Sequence, residues 1–357
     1  MSFLLTLVIP TKNRPKLLQK VVDNLLSHQL EGVEIVVIDN SDNGNEIDPG
    51  NFKFFDDRKV KIIKTGRLSM PENWDFALNQ SRGDYVTIVN DKTIYRNGFI
   101  SRITSILKNE HPDFLTWVIG GGESHIVENL SEPIKVDNWS VINYALNCRI
   151  DLYQRFAPRG TNSAIRRDIL ESMWQKHGCL CRPISPDYSL SLFALNECSE
   201  SLHLSEKLAY IIPNAPSNTE ELKMLKTTCD GYFSTLNISN ELIMENVPIK
   251  VPTINNLLLD DILRSLKVII KKPQKINIKE YYLMLISDIL ISIKQKGCYK
   301  DNLKLFKKSL SKEKISFRID LLYYLLIRFA SGYPNRNLKM RDNLVDFLRA
   351  FRILSFN

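Results

Sequence analysis

Polar and apolar positions change rhythm at short intervals along the first third of the chain. Leu4–Ile9 is an apolar run closed by Pro10-Thr11-Lys12-Asn13-Arg14-Pro15, whose second proline suits the first turn of a helix. Leu17, Leu18, Val21, Val22, Leu25 and Leu26 then recur at helical spacing, and Val33–Ile38 makes a second apolar run that stops on Asp39-Asn40-Ser41. Val60–Lys64 predicts a third strand, Pro71–Gln80 a short helix and Tyr85–Val89 a fourth strand. Residues 97–109 space Phe99, Ile100, Ile103, Ile106 and Leu107 like one face of a helix. Unbroken apolar strands alternating with helices predict a mostly parallel sheet covered on both faces. Ligands of such sheets sit outside the carboxyl ends of the strands, where Thr11, Asp39 and Asp91 fall.

The stretch Gly83–Tyr95 concentrates this pattern, because Val86–Val89 empties directly onto Asn90-Asp91-Lys92. A carboxylate fixed there suits a metal or a phosphate-bearing ligand, although Asp also serves often as a simple turn residue. No G-x-G-x-x-G follows the first strand and no G-x-x-x-x-G-K-[ST] occurs, so the common phosphate cradles are missing. What remains is a nucleotide gripped by side chains, with Asp39 accepting from a base or ribose and Asp91 near the phosphates.

Further on, Asp113–Ile119 predicts a strand, and Gly120-Gly121-Gly122 a turn that lets backbone approach closely. Arg159–Arg167 reads as a strand leading into a helix over Asp168–Lys176. Ser185-Pro186-Asp187 opens a helix carrying Leu190, Leu192, Phe193 and Leu195. Leu204–Ile212 gives a last strand, and Pro213–Ser217 a breaker. Helical patterns follow near 218–247 and over 254–357, which divides the chain into an α/β domain, 1–217, and an α-helical domain, 218–357.

At 357 residues, with 44% apolar and 25% charged residues, the composition is that of a globular protein and excludes a disordered one. The net charge of +8 is uneven: residues 248–357 hold 22 Lys/Arg against 9 Asp/Glu, and the remainder is net acidic. The basic character therefore belongs to the C-terminal part and gives no reason to expect nucleic acid. Arg349–Phe356 mixes cations with large apolar groups, and Lys271-Lys272, Lys307-Lys308, Lys312 and Lys314 add charge, which predicts either contact with a membrane surface or lysines solvated over a packed core. No apolar run reaches the ~18 residues of a membrane span. The six cysteines show no zinc spacing and read as reduced thiols of a cytosolic protein. The N-terminal run reads as a first strand and not a signal segment.

The segments Ile9–Arg14, Glu34–Ser41, Ala77–Tyr85 and Asn90-Asp91-Lys92, in order and in spacing over about residues 3–215, closely resemble family 2 glycosyltransferases. The resemblance implies a GT-A fold and an inverting transfer of sugar from a nucleoside-diphosphate sugar to a hydroxyl of a glycan or lipid-linked acceptor. The bacterial setting it implies is cell-surface polysaccharide such as O-antigen or capsule, with the enzyme in the cytoplasm or at the inner face of the membrane. It places Pro10, Thr11, Asn13, Arg14, Asp39, Ser41, Arg67, Asn73, Asn90, Asp91 and Lys92 around the donor, with Asp39 on the base. Asp187 falls where the family carries its general base, the family's preceding Glu being Pro186 here.

The departure from the family is Lys92, where a second carboxylate usually stands. Either Asp91 and the diphosphate still hold Mg²⁺ or Mn²⁺, or the Lys92 ammonium neutralises the leaving group in the metal's place. The same departures leave a rival reading, an inactive homologue that binds a nucleotide sugar or glycan. The sequence leaves the oligomeric state open.

Overall fold

The first strand, β1 (Leu5–Thr11), is buried along its whole length, and so is β2 (Val33–Asp39), as two-faced apolar strands must be. A computed structural model describes residues 3–48, 50, 59–120, 130–182, 184–213, 215, 244–270, 274–294 and 300–330. The remaining elements of the α/β region are α1 (Pro15–Leu26), β3 (Val60–Lys64), α2 (Met70–Asn79), β4 (Tyr85–Ile88), β5 (Thr93–Tyr95), α3 (Phe99–Glu110), β6 (Phe114–Ile119), β7 (Ile134–Lys135), α4 (Asn138–Leu146), α5 (Ile150–Phe156), β8 (Ser163–Arg166), α6 (Arg167–His177), α7 (Pro186–Glu197) and β9 (Ser201–Ile211).

The strands form one mixed sheet in the order β3-β2-β1-β4-β8-β6-β9-β5, with β7 also on β9. β3, β2, β1 and β4 are mutually parallel. β8 runs antiparallel to both β4 and β6, β9 is parallel to β6, and β5 is antiparallel to β9. This is the fold class expected, with helices flanking a mostly parallel sheet. Leu5, Leu7 and Ile9 of β1 join one core with Leu18, Val21, Val22 and Leu25 of α1 and Phe99, Ile103 and Leu107 of α3. Period two turns Thr6 and Val8 to the opposite face. There Thr6 Oγ1 donates to Glu34 Oε1 at 2.7 Å and accepts the Gly83 amide at 2.8 Å. A Cβ on Gly83 would lie 2.8 Å from the Thr6 nitrogen, which explains glycine just before β4.

The edge strand β5 pairs with β9 on one side. Its Tyr95 amide donates to Asn24 Oδ1 at 2.8 Å, and Asn24 Nδ2 donates to the Tyr95 carbonyl at 3.0 Å, so a side chain of α1 satisfies backbone groups of this edge strand.

Several expected boundaries shift. Arg159–Asn162 is a turn and not part of the strand, because the left-handed φ of +77° at Gly160 breaks extension. β5 and β7 are too short to show apolar periodicity, and α4 and α5 were not expected although Val141, Ile142, Ala145 and Leu146 recur at helical spacing. Gly121 and Gly122, the pattern over 218–243, Lys271-Lys272 and Arg349–Phe356 lie outside the described residues.

By its internal contacts the chain separates into two units, residues 1–143, 151–216 and 265–271 in one, and 144–150, 217–264 and 272–357 in the other. The second contains α8 (Ile254–Ile270, in part), α9 (Ile278–Lys294), α10 (Lys300–Leu310) and α11 (Ile315–Ala330). Tyr281 anchors it, accepting the Ile249 amide at 3.1 Å and donating to Asn256 Oδ1 at 2.9 Å. Ile315, Ile319, Tyr323 and Ile327 recur at helical spacing on α11 and are exposed. Among the described residues no helix is long and apolar enough to cross a membrane.

Candidate active site

Because β1, β2 and β4 are parallel, Thr11, Asp39 and the segment after Ile88 arrive at the same edge of the sheet. Asp91 is buried there, with both oxygens engaged: Thr11 Oγ1 donates to Oδ2 at 3.0 Å, and Arg14 Nη1 donates to Oδ1 at 3.2 Å. Thr11 ends β1, and Arg14 is the N-cap residue of α1, so the turn between them delivers both groups to Asp91. Thr93 N–H closes a tight turn on the Asn90 carbonyl at 3.0 Å, and the Lys92 carbonyl accepts the Ile212 amide at 2.9 Å.

Asp39 is buried, and its carboxylate accepts the amides of Ser41 at 3.0 Å and Ile47 at 2.8 Å. The carboxylate thus shapes the loop after β2, at the strand end where the base contact is expected. Asn13 locks that loop to the first. Its amide donates to Ser41 Oγ at 2.8 Å, and its side chain exchanges two hydrogen bonds with Asp42, at 2.7 and 2.9 Å. Asn13 and Arg67 both have left-handed φ, 54° and 55°, a conformation that costs an ordinary residue energy and clusters at functional sites. Asp42 is held below the usual carboxylate range by the Asn13 hydrogen bond first and then by Lys12, with Arg67 adding to the pull.

Asn73, in the first turn of α2, is buried, and its Oδ1 has no hydrogen-bond partner among the described residues. The turn before α2 is fixed by a capping box between Ser69 and Glu72. Pro10 lies opposite Ile38 in the sheet and serves as backbone, one residue before Thr11.

Asp187 is the second residue of α7, with Pro186 at the start of the helix, as expected. α7 is buried nearly all round, which fixes its first turn. Arg159 Nη1 stands 3.5 Å from Asp187 Oδ2, both side chains being about a fifth exposed, at 22% and 23%. Burial pushes the Asp187 carboxyl up from its ordinary value, against the opposing pull of Arg159 and of the amides of Asp187 and Tyr188. The Arg159 guanidinium also lies 5.8 Å from the centre of the Tyr188 ring.

Gly160 ties the two carboxylate regions together. Its carbonyl accepts the Ile88 amide at 3.2 Å, and a Cβ there would meet Ile88 Cδ1 at 2.9 Å and Leu190 Cδ2 at 3.2 Å. Only glycine lets β4 and α7 close on this turn.

Arg159 and Asn40 were not among the expected site residues. Asn40 donates to the Leu68 carbonyl at 2.6 Å and accepts the Leu68 amide at 2.8 Å, which holds the loop bearing Arg67 against the end of β2. Its place beside Asp39 was the available signal. Arg159 had only a turn signature, and its partner lies 28 positions on.

As a divalent-cation site the strand end after β4 fits poorly. Its one carboxylate already accepts from Thr11 and Arg14 and is followed by Lys92, and among the described residues no three His, Cys, Asp or Glu groups come together to hold a metal.

Residues 6–174 match the family model described as glycosyl transferase family 2. The match covers Thr11, Asp39 and Asp91 and stops short of Asp187. A curated relative, the glycosyltransferase GlyG of Streptococcus pneumoniae serotype 4 (strain ATCC BAA-334 / TIGR4), is 22% identical over 116 residues, 32% of this chain and 38% of the relative. The alignment thus spans about two fifths of that relative's length. Among solved structures, S. aureus TarS 1-349 in complex with UDP-GlcNAc is 11% identical over 99% of this chain and 90% of that one, with a TM-score of 0.46. The mannosyltransferase PcManGT from Pyrobaculum calidifontis, in complex with GDP-Man and Mn²⁺, is 12% identical over 98% of this chain and 87% of that one, with a TM-score of 0.43.

Proposed function

Residues 6–174 are a family 2 glycosyltransferase domain, and from that premise we propose that the chain transfers a sugar, with inversion, from a nucleoside-diphosphate sugar to an acceptor hydroxyl. Residues 1–217 form the catalytic domain in this reading, and residues 218–357 a helical accessory domain. The family match carries the reading, and the two carboxylates at the ends of β4 and at the start of α7 support it. Asp187 removes the proton of the acceptor hydroxyl, and the freed oxygen attacks the anomeric carbon from the face opposite the leaving diphosphate. A carboxyl raised toward neutral pH by burial takes that proton with greater driving force than an ordinary one. Thr11, Asn13, Arg14, Ser41, Arg67, Asn73, Asn90, Asp91 and Lys92 line the donor side, while Asp39 shapes the loop against which the base rests.

The acceptor is a glycan or a lipid-linked oligosaccharide of a bacterial surface polysaccharide, and the enzyme works on the cytoplasmic side of the membrane. The exposed stripe Ile315, Ile319, Tyr323 and Ile327, in a region rich in lysine, supports contact with an anionic lipid surface.

Titration calorimetry with UDP, GDP, dTDP and CMP, followed by release of the nucleotide from the matching sugar nucleotide, tests the reading. One nucleotide should bind, and Asp187→Asn should keep that binding while turnover falls by about two orders of magnitude or more. Binding without transfer or hydrolysis in the wild type would favour the inactive homologue. No binding by any nucleotide would end the nucleotide-sugar reading for these donors.

A further inference from the structure

We propose that Arg14, held in place by Asp91, supplies the positive charge on which the donor's diphosphate rests, so that nucleotide binding requires no divalent cation. The proposal rests on the nucleotide-sugar reading above and concerns how that same site neutralises its ligand.

A hard divalent cation takes about six oxygen ligands and is gathered by carboxylates with lone pairs to spare. At this edge the carboxylates already accept hydrogen bonds from the protein. Asp91 accepts from Thr11 and Arg14, Asp39 from the amides of Ser41 and Ile47, and Asp42 from Asn13, with Lys12 beside it at 3.5 Å. The cations Lys12, Arg14, Arg67 and Lys92 lie along the segments that meet there, among the carboxylates Asp39, Asp42, Glu46, Asp48 and Asp91. A divalent cation at Asp91 would have to displace Arg14 from it, whereas a diphosphate meets an arginine already held in place.

Arg14 is better placed than Lys92 to be the principal ligand. One Nη1 contact to Asp91 orients its guanidinium, and among the described residues that group has no other hydrogen-bond partner, so Nε and Nη2 remain to donate. The side chain is 28% exposed, open enough to receive a ligand and fixed enough to lose little freedom on binding. A planar fork matches two phosphate oxygens where an ammonium meets them as a point charge. Arg14 also stands at the N-cap position of α1, whose positive dipole end adds to its field. Asp91 then acts as a positioning residue for the arginine.

The test is calorimetry of the full chain with UDP, GDP, dTDP and CMP, each in EDTA and in Mn²⁺, on wild type, Arg14→Gln and Arg14→Lys, with thermal melts to confirm folding. One diphosphate should bind wild type with affinities in the two buffers equal within about two-fold. Arg14→Gln should weaken it about ten-fold or more in both, with Arg14→Lys between. Binding that appears only with Mn²⁺, or tightens ten-fold with it, would overturn the inference while leaving the nucleotide-sugar reading intact. Equal affinity in Arg14→Gln and wild type would also overturn it. Failure of every nucleotide in both buffers would remove the nucleotide-sugar reading and the inference together. If Arg14→Gln does not fold, the wild-type comparison of EDTA with Mn²⁺ still decides the metal question.

Discussion

Arg159 Nη1 lies 3.5 Å from Asp187 Oδ2, so the proposed general base is held by a cation from the turn that also supports β4. Burial raises the Asp187 carboxyl and Arg159 opposes that rise. Removing the guanidinium leaves burial less opposed, and the carboxyl rises further. In Arg159→Gln the acid limb of kcat/KM should move to higher pH by about one unit, since a close opposite charge commonly lowers a carboxyl by that much or more. A pH profile of sugar transfer measures it. An unmoved limb with a lower plateau would make Arg159 structural only.

His203 should limit stability in mild acid. It is fully buried in β9, with Nδ1 2.9 Å from Thr116 Oγ1, and burial, aided by Arg155, lowers its pKa from 6.5 to about 4. Between those two values the unfolded chain binds a proton that the folded chain refuses. Stability is therefore full above about pH 6.5 and falls as pH drops toward 4, by up to about 3 kcal/mol from this group. Denaturant melts at pH 7 and pH 5 should show a smaller acid loss in His203→Gln than in wild type.

Gly160→Ala should destabilise by about 2 kcal/mol or more. The change puts a Cβ on a φ of +77° and drives it to 2.9 Å from Ile88 and 3.2 Å from Leu190. Urea denaturation reads the loss, and a cost under half a kcal/mol would show that the turn yields easily.

Asn40→Ala should release the loop that carries Arg67. Two hydrogen bonds to Leu68 are lost, at a cost of about 1–3 kcal/mol. Nucleotide affinity should fall roughly five-fold, because the loop must be ordered again on binding. Calorimetry beside a thermal melt separates the two effects.

The strands were legible because runs such as Leu4–Ile9 and Val33–Ile38 are apolar but for Thr6 and Glu34, a pattern that a covered sheet explains. Placement at strand ends then brought Thr11, Asp39 and Asp91 to one edge without further information. Partners were not legible. Arg14 meets Asp91 across 77 positions, and no local pattern marks them as a pair. Asp39 shows the opposite limit: its hydrogen bond to the amide two residues on is ordinary local aspartate chemistry, which competes with any ligand role read from its position. β5 and β7 were missed because three- and two-residue strands leave no periodicity to find. Ser69 and Glu72, by contrast, spell a capping box in plain sequence and mark the start of α2 more sharply than its apolar spacing does.

The order of the sheet sets how long the Asp91 segment can be. β4 and β5 are separated by β8, β6 and β9, so in a flat sheet they would stand about 19 Å apart at the usual strand spacing. The link from Ile88 to Thr93 could reach at most about 18 Å if drawn straight, and it contains a tight turn at Asn90–Thr93. The sheet must therefore curl until its far edge comes round toward its middle, and the Asn24 side chain of α1 meeting the backbone of β5 is the mark of that curl. Asp91 and Lys92 ride on the shortest cord across the resulting arc. One residue added or removed between Val89 and Lys92 should therefore move the carboxylate out of reach of Thr11 and Arg14 while the strands keep their pairing.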